Sequence, residues 1–314
     1  MSAFDLSIIV VSYNTRDMTL ACIRSVYEQT EGASFELIVL DNASSDGSAD
    51  AIDAEFADRE GFTLIRSTDN LGFAGGNNAA AVHASGRRLL LLNPDTVVLD
   101  NAIDRLAAFA DACPDARIWG GRTVFADGSL NPASCWGRQT LWSVTAEALG
   151  ANAFFPNSKL LNPEGLGGWK RDSVRRVDIV SGCFFLIDAP LWQDLGGFDS
   201  DFFMYGEEAD LCLRARKLGA DPVVTPDATI VHYGGASETV RADKVIRLFR
   251  AKSLLLRRHW PRPLAAYGVA MLRLHSLVRG GLYTLASKVR RRPSFADSAA
   301  AWMRVWTTRR DWSA

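Results

Sequence analysis

Short apolar runs recur along the first third of the chain at intervals of about 25–30 residues, each closed by a polar cluster and followed by a helical pattern. Leu6 to Ser12, Phe35 to Leu40, Phe62 to Arg66 and Leu89 to Leu92 read as strands. This alternation is the mark of repeated βαβ units, hence an α/β fold with a mostly parallel sheet and helices on both faces. The Leu89–Leu92 run is apolar throughout, as a strand buried on both faces requires. Asn93, Pro94 and Asp95 stop it abruptly, because proline has no N–H for the ladder. A buried strand therefore carries a carboxylate to its C-terminal tip, the edge where open α/β sheets bind ligands. Ser12-Tyr13-Asn14, Asp41-Asn42 and Asn70 close the other three runs, so four polar clusters on one sheet edge predict a binding crevice.

Thr15 is expected to cap a helix through Gln29, and Asp46 or Ser48 the next one. Ala102 to Cys113 reads as a helix, and Ile118 to Leu130 as a strand with a hairpin at Ala126-Asp127-Gly128. From Gly137 to Arg175 regular signals fade, and Asn, Pro and Gly recur as in a long loop or lid. Val177 to Asp188 resumes strand character. No G-x-G-x-x-G follows the first strand and no Walker lysine motif is present, which excludes a dinucleotide fingerprint and a P-loop. Ser12-Tyr13-Asn14-Thr15 is not the basic, Gly-rich loop of a nucleotidyltransferase. The five cysteines are scattered without paired spacing, as reduced thiols of a cytosolic protein would be. Met-Ser-Ala-Phe-Asp runs straight into the first strand, so no secretory signal is expected there.

Glu207, Glu208 and Asp210 open a helix that runs to about Leu218. Acids in a first turn suit the helix dipole, and Asp210 can pair with Arg214 at i,i+4. Glu208 points about 100° away from Glu207 around the helix, so the two carboxylates have different neighbours, and one crowded by other acids suits a general base. His232 follows a short strand, Ala228 to Val231, and precedes a Gly-Gly turn. On its own it fits a structural histidine or a metal ligand.

Together these segments resemble the inverting nucleotide-sugar glycosyltransferases of the GT-A-fold family 2, and within it the bacterial rhamnosyltransferase branch, over roughly residues 5 to 260. Ile9-Val10-Val11-Ser12-Tyr13-Asn14 is similar to the family's first strand, whose end packs on the nucleotide base. Asp41 matches the position that bonds the base edge, and Asn70-Leu-Gly72-Phe-Ala-Gly-Gly-Asn77 the stretch that lines the donor site. Asn93-Pro94-Asp95 stands where the family has Asp-x-Asp, with asparagine in place of the first acid, which implies Asp95 as the direct metal ligand. His232 matches the third metal-site position. Glu208 matches the second residue of the family's Glu-Asp pair, the catalytic base, and the resemblance implies Glu207 beside it as the other catalytic acid. The resemblance implies a divalent cofactor, Mg²⁺ or Mn²⁺, and transfer of a sugar, foremost L-rhamnose from dTDP-rhamnose, to a cell-surface glycan or polyprenyl-linked acceptor. UDP-galactofuranose or a UDP-hexose as donor, and an inactive nucleotide-sugar-binding module, are the alternatives.

Charge divides the chain. The net charge is −1, yet residues 241–314 hold 17 Lys+Arg against 3 Asp+Glu, a balance of +14, and the first 240 residues hold 18 against 33, a balance of −15. A GT-A domain over 1–238 and a basic, amphipathic helical region over 239–314 are expected. Helical periodicity runs from Val240 to His259 and from Leu264 to Val289, with Arg273, His275 and Arg279 interrupting any membrane-spanning run. Arg290-Arg291-Arg292 and Trp302, Trp306 and Trp312 continue the basic, aromatic character. A helical bundle or homo-oligomer interface fits this composition. So does docking on an anionic membrane with Trp and Leu inserting, which would make the protein cytoplasmic and peripheral on the inner face of the plasma membrane. No recognition module for nucleic acid is visible.

Overall fold

The computed structural model describes residues 4–234, 241–290 and 293–313. The chain forms two compact units, Met1–Trp136 with Lys170–Phe203 and Glu207–Ser237, and Gly137–Trp169 with Met204–Gly206 and Glu238–Ala314.

The first unit opens with β1 (Leu6–Ser12), α1 (Arg16–Glu28), β2 (Phe35–Asp41), α2 (Ser48–Phe56), β3 (Phe62–Arg66), α3 (Gly72–Ala81) and β4 (Arg88–Leu92). These strands pair in parallel. β1 and β4 are buried along their whole length, which is why their sequences are apolar without alternation. Next come β5 (Thr96–Val98), α4 (Ala102–Ala112), β6 (Ile118–Val124), β7 (Leu130–Asn131) and β8 (Cys135–Trp136). After an excursion into the second unit through α5 (Leu141–Ala148) and α6 (Ala151–Phe154), the chain returns as β9 (Arg175–Arg176), β10 (Ile179–Val180) and β11 (Phe184–Asp188). α7 (Ala189–Leu195), α8 (Glu207–Lys217) and β12 (Val223–His232) complete the first unit's elements. β11 lies antiparallel between β4 and β6, and β12 runs parallel to β6. The result is a mixed, mostly parallel sheet in the order β3-β2-β1-β4-β11-β6-β12-β5. Ile8, Val10, Leu90 and Leu92 on one sheet face meet Cys22, Ile23 and Val26 of α1 and Leu106 of α4 in a single apolar core.

The second unit is built from α5, α6, α9 (Arg241–His259), α10 (Arg262–Arg290), α11 (Pro293–Thr307) and α12 (Arg309–Trp312). Its core joins Phe249, Leu256, Val269, Leu272, Val305 and Trp312. None of the helices among the described residues is long and apolar enough to cross a membrane. Beside this core, the Lys252 ammonium lies 3.0 Å from Glu147 and 2.9 Å from Glu164. His275 Nδ1 meets the Glu147 carbonyl oxygen at 2.6 Å. Residues 137–169 are thereby tied to α9 and α10.

Several expectations change. The stretch from Gly137 to Arg175 is not all loop. It contains α5, started by a reciprocal capping box between Thr140 and Ser143, which escapes notice because serine stands where glutamate or glutamine is the usual signal. Val177 to Asp188 is two strands, β10 and β11, and His232 ends a longer strand than expected. Thr15 sits at the start of α1 without capping it. The cap is Asp46, whose Oδ2 accepts the Arg16 N–H at 3.0 Å while Oδ1 accepts the Ser48 N–H at 3.0 Å, so one carboxylate serves α1 and α2. The tryptophans do not form an inserting set. Trp312 is buried against Phe249, Trp302 packs on the same ring, and Trp306 stacks under the Arg309 guanidinium at 4.1 Å. The basic pair at 291–292 and the expected boundary at 238/239 lie outside the described residues.

Burial alone would raise the Glu147 carboxyl, but the charge of Lys252 holds it below its ordinary value. Its contribution to stability is therefore present above the unfolded carboxylate range, about pH 4.3, and is lost as pH falls through the depressed folded value. Glu164 is raised by burial and acts in the opposite sense. Lys252→Met leaves two largely buried carboxylates without their cation and should cost about 3 kcal/mol. Urea unfolding should show that loss at pH 7 and a smaller one below about pH 4, where protonation relieves the repulsion.

Candidate active site

β6 is antiparallel to β11, as β4 is, and β12 follows β6. The last residue of β12 therefore reaches the same sheet edge as the ends of β1, β2, β3 and β4. β5 pairs antiparallel with β12, with Thr96 opposite His232. That register brings Asp95 Oδ1 to 3.5 Å from His232 Nε2, and Asn93 Nδ2 to 3.4 Å from the same nitrogen. The Asn93 N–H donates to the Cys183 carbonyl at 3.2 Å, and its own carbonyl accepts from Thr96 Oγ1 at 2.7 Å. The Tyr233 N–H donates to the Asp95 carbonyl at 3.1 Å. Asn131, which the sequence does not single out, donates from Nδ2 to the His232 carbonyl at 3.1 Å and fixes the exit of β12.

Electrostatics at this point are tightly linked. Burial would lower the His232 imidazole, but Cys183 and Asp95 beside it lift it to about 10. Burial would raise Asp95, and the hydrogen bond and charge of His232 hold it below the ordinary carboxylate range. Asn93 Oδ1 and His232 Nδ1 are buried with no hydrogen-bond partner among the described residues. No group of three or more His, Cys, Asp or Glu side chains among the described residues could enclose a metal ion. A carboxylate, an imidazole and an orphaned amide oxygen nonetheless fit a divalent cation that takes its remaining ligands from phosphate oxygens and water, the habit of Mg²⁺ and its analogues.

The other strand ends are stitched to one another. Ser12 Oγ joins a buried hydroxyl chain, 2.9 Å from Thr19 Oγ1 and 3.4 Å from Thr15 Oγ1. Tyr13 is exposed. Asn14 has left-handed backbone at φ 53°, and its Oδ1 accepts the Ser45 N–H at 2.7 Å. Asp41 Oδ2 accepts the Ser44 N–H at 3.0 Å, while its Oδ1 is buried without a hydrogen-bond partner among the described residues. Asn42 Oδ1 accepts the Leu71 N–H at 2.8 Å, and its Nδ2 donates to Asn70 Oδ1 at 3.1 Å. Asn70 Oδ1 also accepts the Gly72 N–H at 2.9 Å. Asn77 lies inside α3, with Nδ2 donating to the Phe73 carbonyl at 2.8 Å.

The Phe73 N–H donates to the Phe203 carbonyl at 2.9 Å. That bond pins Phe203 to the start of α3, at the same sheet edge, and Glu208 follows five residues later in the first turn of α8. Glu207 is buried and Glu208 half-buried, so the two adjacent acids do have different surroundings. Asp210 pairs with Arg214 at 2.6 Å, and Arg214 also donates to the Leu195 and Gly197 carbonyls. This acid is structural, as the i,i+4 spacing indicated.

A family model described as Glycosyl transferase family 2 matches residues 7–164. N-acetylglucosaminyl-diphospho-decaprenol L-rhamnosyltransferase of Mycobacterium tuberculosis is 25% identical over 303 residues, covering 88% of this chain and 94% of that protein. O-antigen biosynthesis protein RfbC of Myxococcus xanthus is 27% identical over 245 residues, 76% of this chain, which spans only 18% of that protein's length. Among solved structures, a mannosyltransferase from Pyrobaculum calidifontis in complex with GDP-Man and Mn²⁺ superposes with a TM-score of 0.61 at 15% identity, over 98% of this chain and 87% of that one. That likeness is one of fold.

Gly72 has φ 71°, and a Cβ there would lie 2.2 Å from the Phe203 carbonyl oxygen. Gly72→Ala should therefore cost about 2–4 kcal/mol through strain and forced displacement. Gly75→Ala, whose Cβ would meet only Leu71 Cβ at 3.1 Å, should cost clearly less. Chemical denaturation of both variants checks the ranking.

Proposed function

Since the chain belongs to glycosyl transferase family 2, we propose that it is a glycosyltransferase that moves L-rhamnose from dTDP-rhamnose to a hydroxyl of a lipid-linked glycan acceptor, with inversion. The observation that carries this reading is the meeting of Asp95, His232 and the orphaned Asn93 amide oxygen at the carboxyl edge of the sheet. Asp41 Oδ1, a buried acceptor with no hydrogen-bond donor among the described residues, takes a hydrogen bond from the edge of the base. Ser12, Tyr13 and Asn14 flank that base, and Asn70, Gly72 and Asn77 shape the wall behind the donor. Asp95 and His232, with Asn93 beside them, hold a divalent cation, Mg²⁺ or Mn²⁺. Its positive charge would offset that of the departing diphosphate.

Glu208 takes the proton of the acceptor hydroxyl as that oxygen attacks the anomeric carbon. The bond to the diphosphate oxygen breaks on the opposite face, and one displacement inverts the centre. General-base help of this kind is worth about 10²–10⁴-fold in rate. Glu207, buried beside it, is the other acid of the catalytic pair at the start of α8. Rhamnose as the sugar draws support from the branch resemblance and from the near-complete coverage of the mycobacterial rhamnosyltransferase. A lipid-linked acceptor and the basic balance of residues 241–314 together support work at the inner face of the plasma membrane, from the cytoplasm, against anionic lipid.

Glu208→Gln should abolish transfer, by at least about 10²-fold, while thermal stabilisation by the nucleotide sugar stays close to wild type. Normal turnover in that variant would place the base elsewhere. Asp95→Ala should remove the extra stabilisation that Mn²⁺ adds to nucleotide-sugar binding. The donor is read by metal-dependent hydrolysis across dTDP-rhamnose, UDP-galactofuranose and UDP-glucose. Selective turnover of a UDP-sugar would replace rhamnose and leave the roles of the residues intact.

A further inference from the structure

The second unit turns large apolar side chains outward along α10, at Leu282, Leu285 and Val289, and more densely over residues 141–160. Leu149, Phe154, Phe155 and Leu160 are 60%, 71%, 56% and 67% exposed, and Leu141 and Trp142 begin the same strip on α5. Isolated exposed hydrophobes are ordinary, but a cluster of this kind marks a surface that binds something apolar. The strip is also held still. Trp142 Nε1 donates to the Leu160 carbonyl at 2.6 Å, Asn162 Nδ2 donates to the Pro156 carbonyl at 2.9 Å, and the Gly167 N–H donates to the Asn162 carbonyl at 2.9 Å. With the turns already fixed, little ordering is left to oppose binding.

The charges identify the partner. Between Glu147 and Glu164 the chain has no acid and a single base, Lys159. Both flanking glutamates are taken up by Lys252. α5 packs on α10, with Thr145 Oγ1 and Tyr267 Oη 2.6 Å apart. Helices α9 to α12 of the same unit belong to the segment with 17 basic and 3 acidic residues. An apolar strip on a cationic body suits an anionic lipid surface. A second copy of this chain fits less well, because a two-fold contact would set like charge against like around the strip.

We propose that residues 141–160 are a membrane-inserting element. Leu149, Phe154, Phe155 and Leu160 enter the boundary between headgroups and acyl chains, while Lys159 and the basic helices face anionic headgroups. This deepens the membrane part of the proposed function, on which it rests for its partner, and supplies the inserting side chains that the tryptophans packed within the helices do not.

The test is co-sedimentation of the full chain with vesicles of phosphatidylcholine alone or mixed with phosphatidylglycerol. Wild type should bind the mixed vesicles and bind the neutral ones more weakly. Phe154→Asp/Phe155→Asp and, separately, Leu160→Asp should each weaken binding to mixed vesicles by about tenfold or more. Val82→Asp, a like change at a residue 81% exposed on the first unit, should bind as wild type does. Every variant should keep the wild-type melting curve and the wild-type rate of dTDP-rhamnose hydrolysis. Three results would overturn the inference: wild type that ignores mixed vesicles, Asp variants that bind as wild type does, or a wild-type dimer that the Asp variants dissolve. A protein that hydrolyses no nucleotide sugar, yet loses vesicle binding through these changes, would support the inserting element and refute the glycosyl-transfer reading.

Discussion

The register that sets Thr96 opposite His232 is the contact on which the site depends. Asn93 and His232 lie 139 residues apart in sequence, and no local preference could bring them together. Pro94 ends β4, the chain reverses, and three residues of β5 pair antiparallel with the last turn of β12's ladder. Thr96 does double service, since its backbone joins that ladder and its hydroxyl holds the Asn93 carbonyl. A slip of one residue would turn every side chain of β5 to the opposite face and part Asp95 from the imidazole. The mixed character of the sheet follows from the same need. β11, inserted antiparallel beside β4, is what lets β6 and β12 run in the direction that delivers His232 to the carboxyl edge.

On the other half of that edge, stability comes from side chains that bond a neighbouring loop's backbone. Asn14 holds the loop after β2, Asn42 holds the loop after β3, and Asp46 reaches back to the first N–H of α1. Each bond satisfies a backbone group that a loop would otherwise leave to water. The loops after β1, β2 and β3 therefore behave as one connected surface. Within it Asp41 is the exception, with one carboxylate oxygen bonded and the other without a partner among the described residues. A buried acceptor left unmade is costly, and it is tolerated most readily where a ligand completes it.

The parts of this arrangement that were legible in the sequence are those written in a single period. Strands buried on both faces read as apolar runs, so β1, β4 and the buried stretch Leu37–Leu40 of β2, with the acids that follow, Asp41 and Asp95, could be read directly. Asp210 and Arg214 were legible for the same reason, through helical spacing. What escaped was set by partners far along the chain. Asn131 looks like any turn asparagine until the His232 carbonyl, 101 residues later, receives its amide. The amphipathic pattern around Trp302 and Trp312 is the same for a helix facing lipid and for one facing its neighbours, and only the packing on Phe249 decides between them. α5 escaped through a cap written with serine, and with it went the apolar strip that α5 begins.

Asparagine at position 93 changes what the site asks of its ligand. A second carboxylate there would stand beside Asp95 and raise the proton affinity of one of the two. The amide instead approaches His232, leaving one carboxylate to face one imidazole. Two opposite charges at 3.5 Å tolerate burial because each offsets the other. To offer a lone pair to a cation, however, the imidazole must give up its proton, and the protein then presents a single negative charge to a divalent ion. On the function proposed above, the missing negative charge arrives with the diphosphate of the donor. Cation and nucleotide sugar are then bound together more favourably than either alone, and the asparagine that weakens an isolated metal site becomes the reason that the site waits for its substrate.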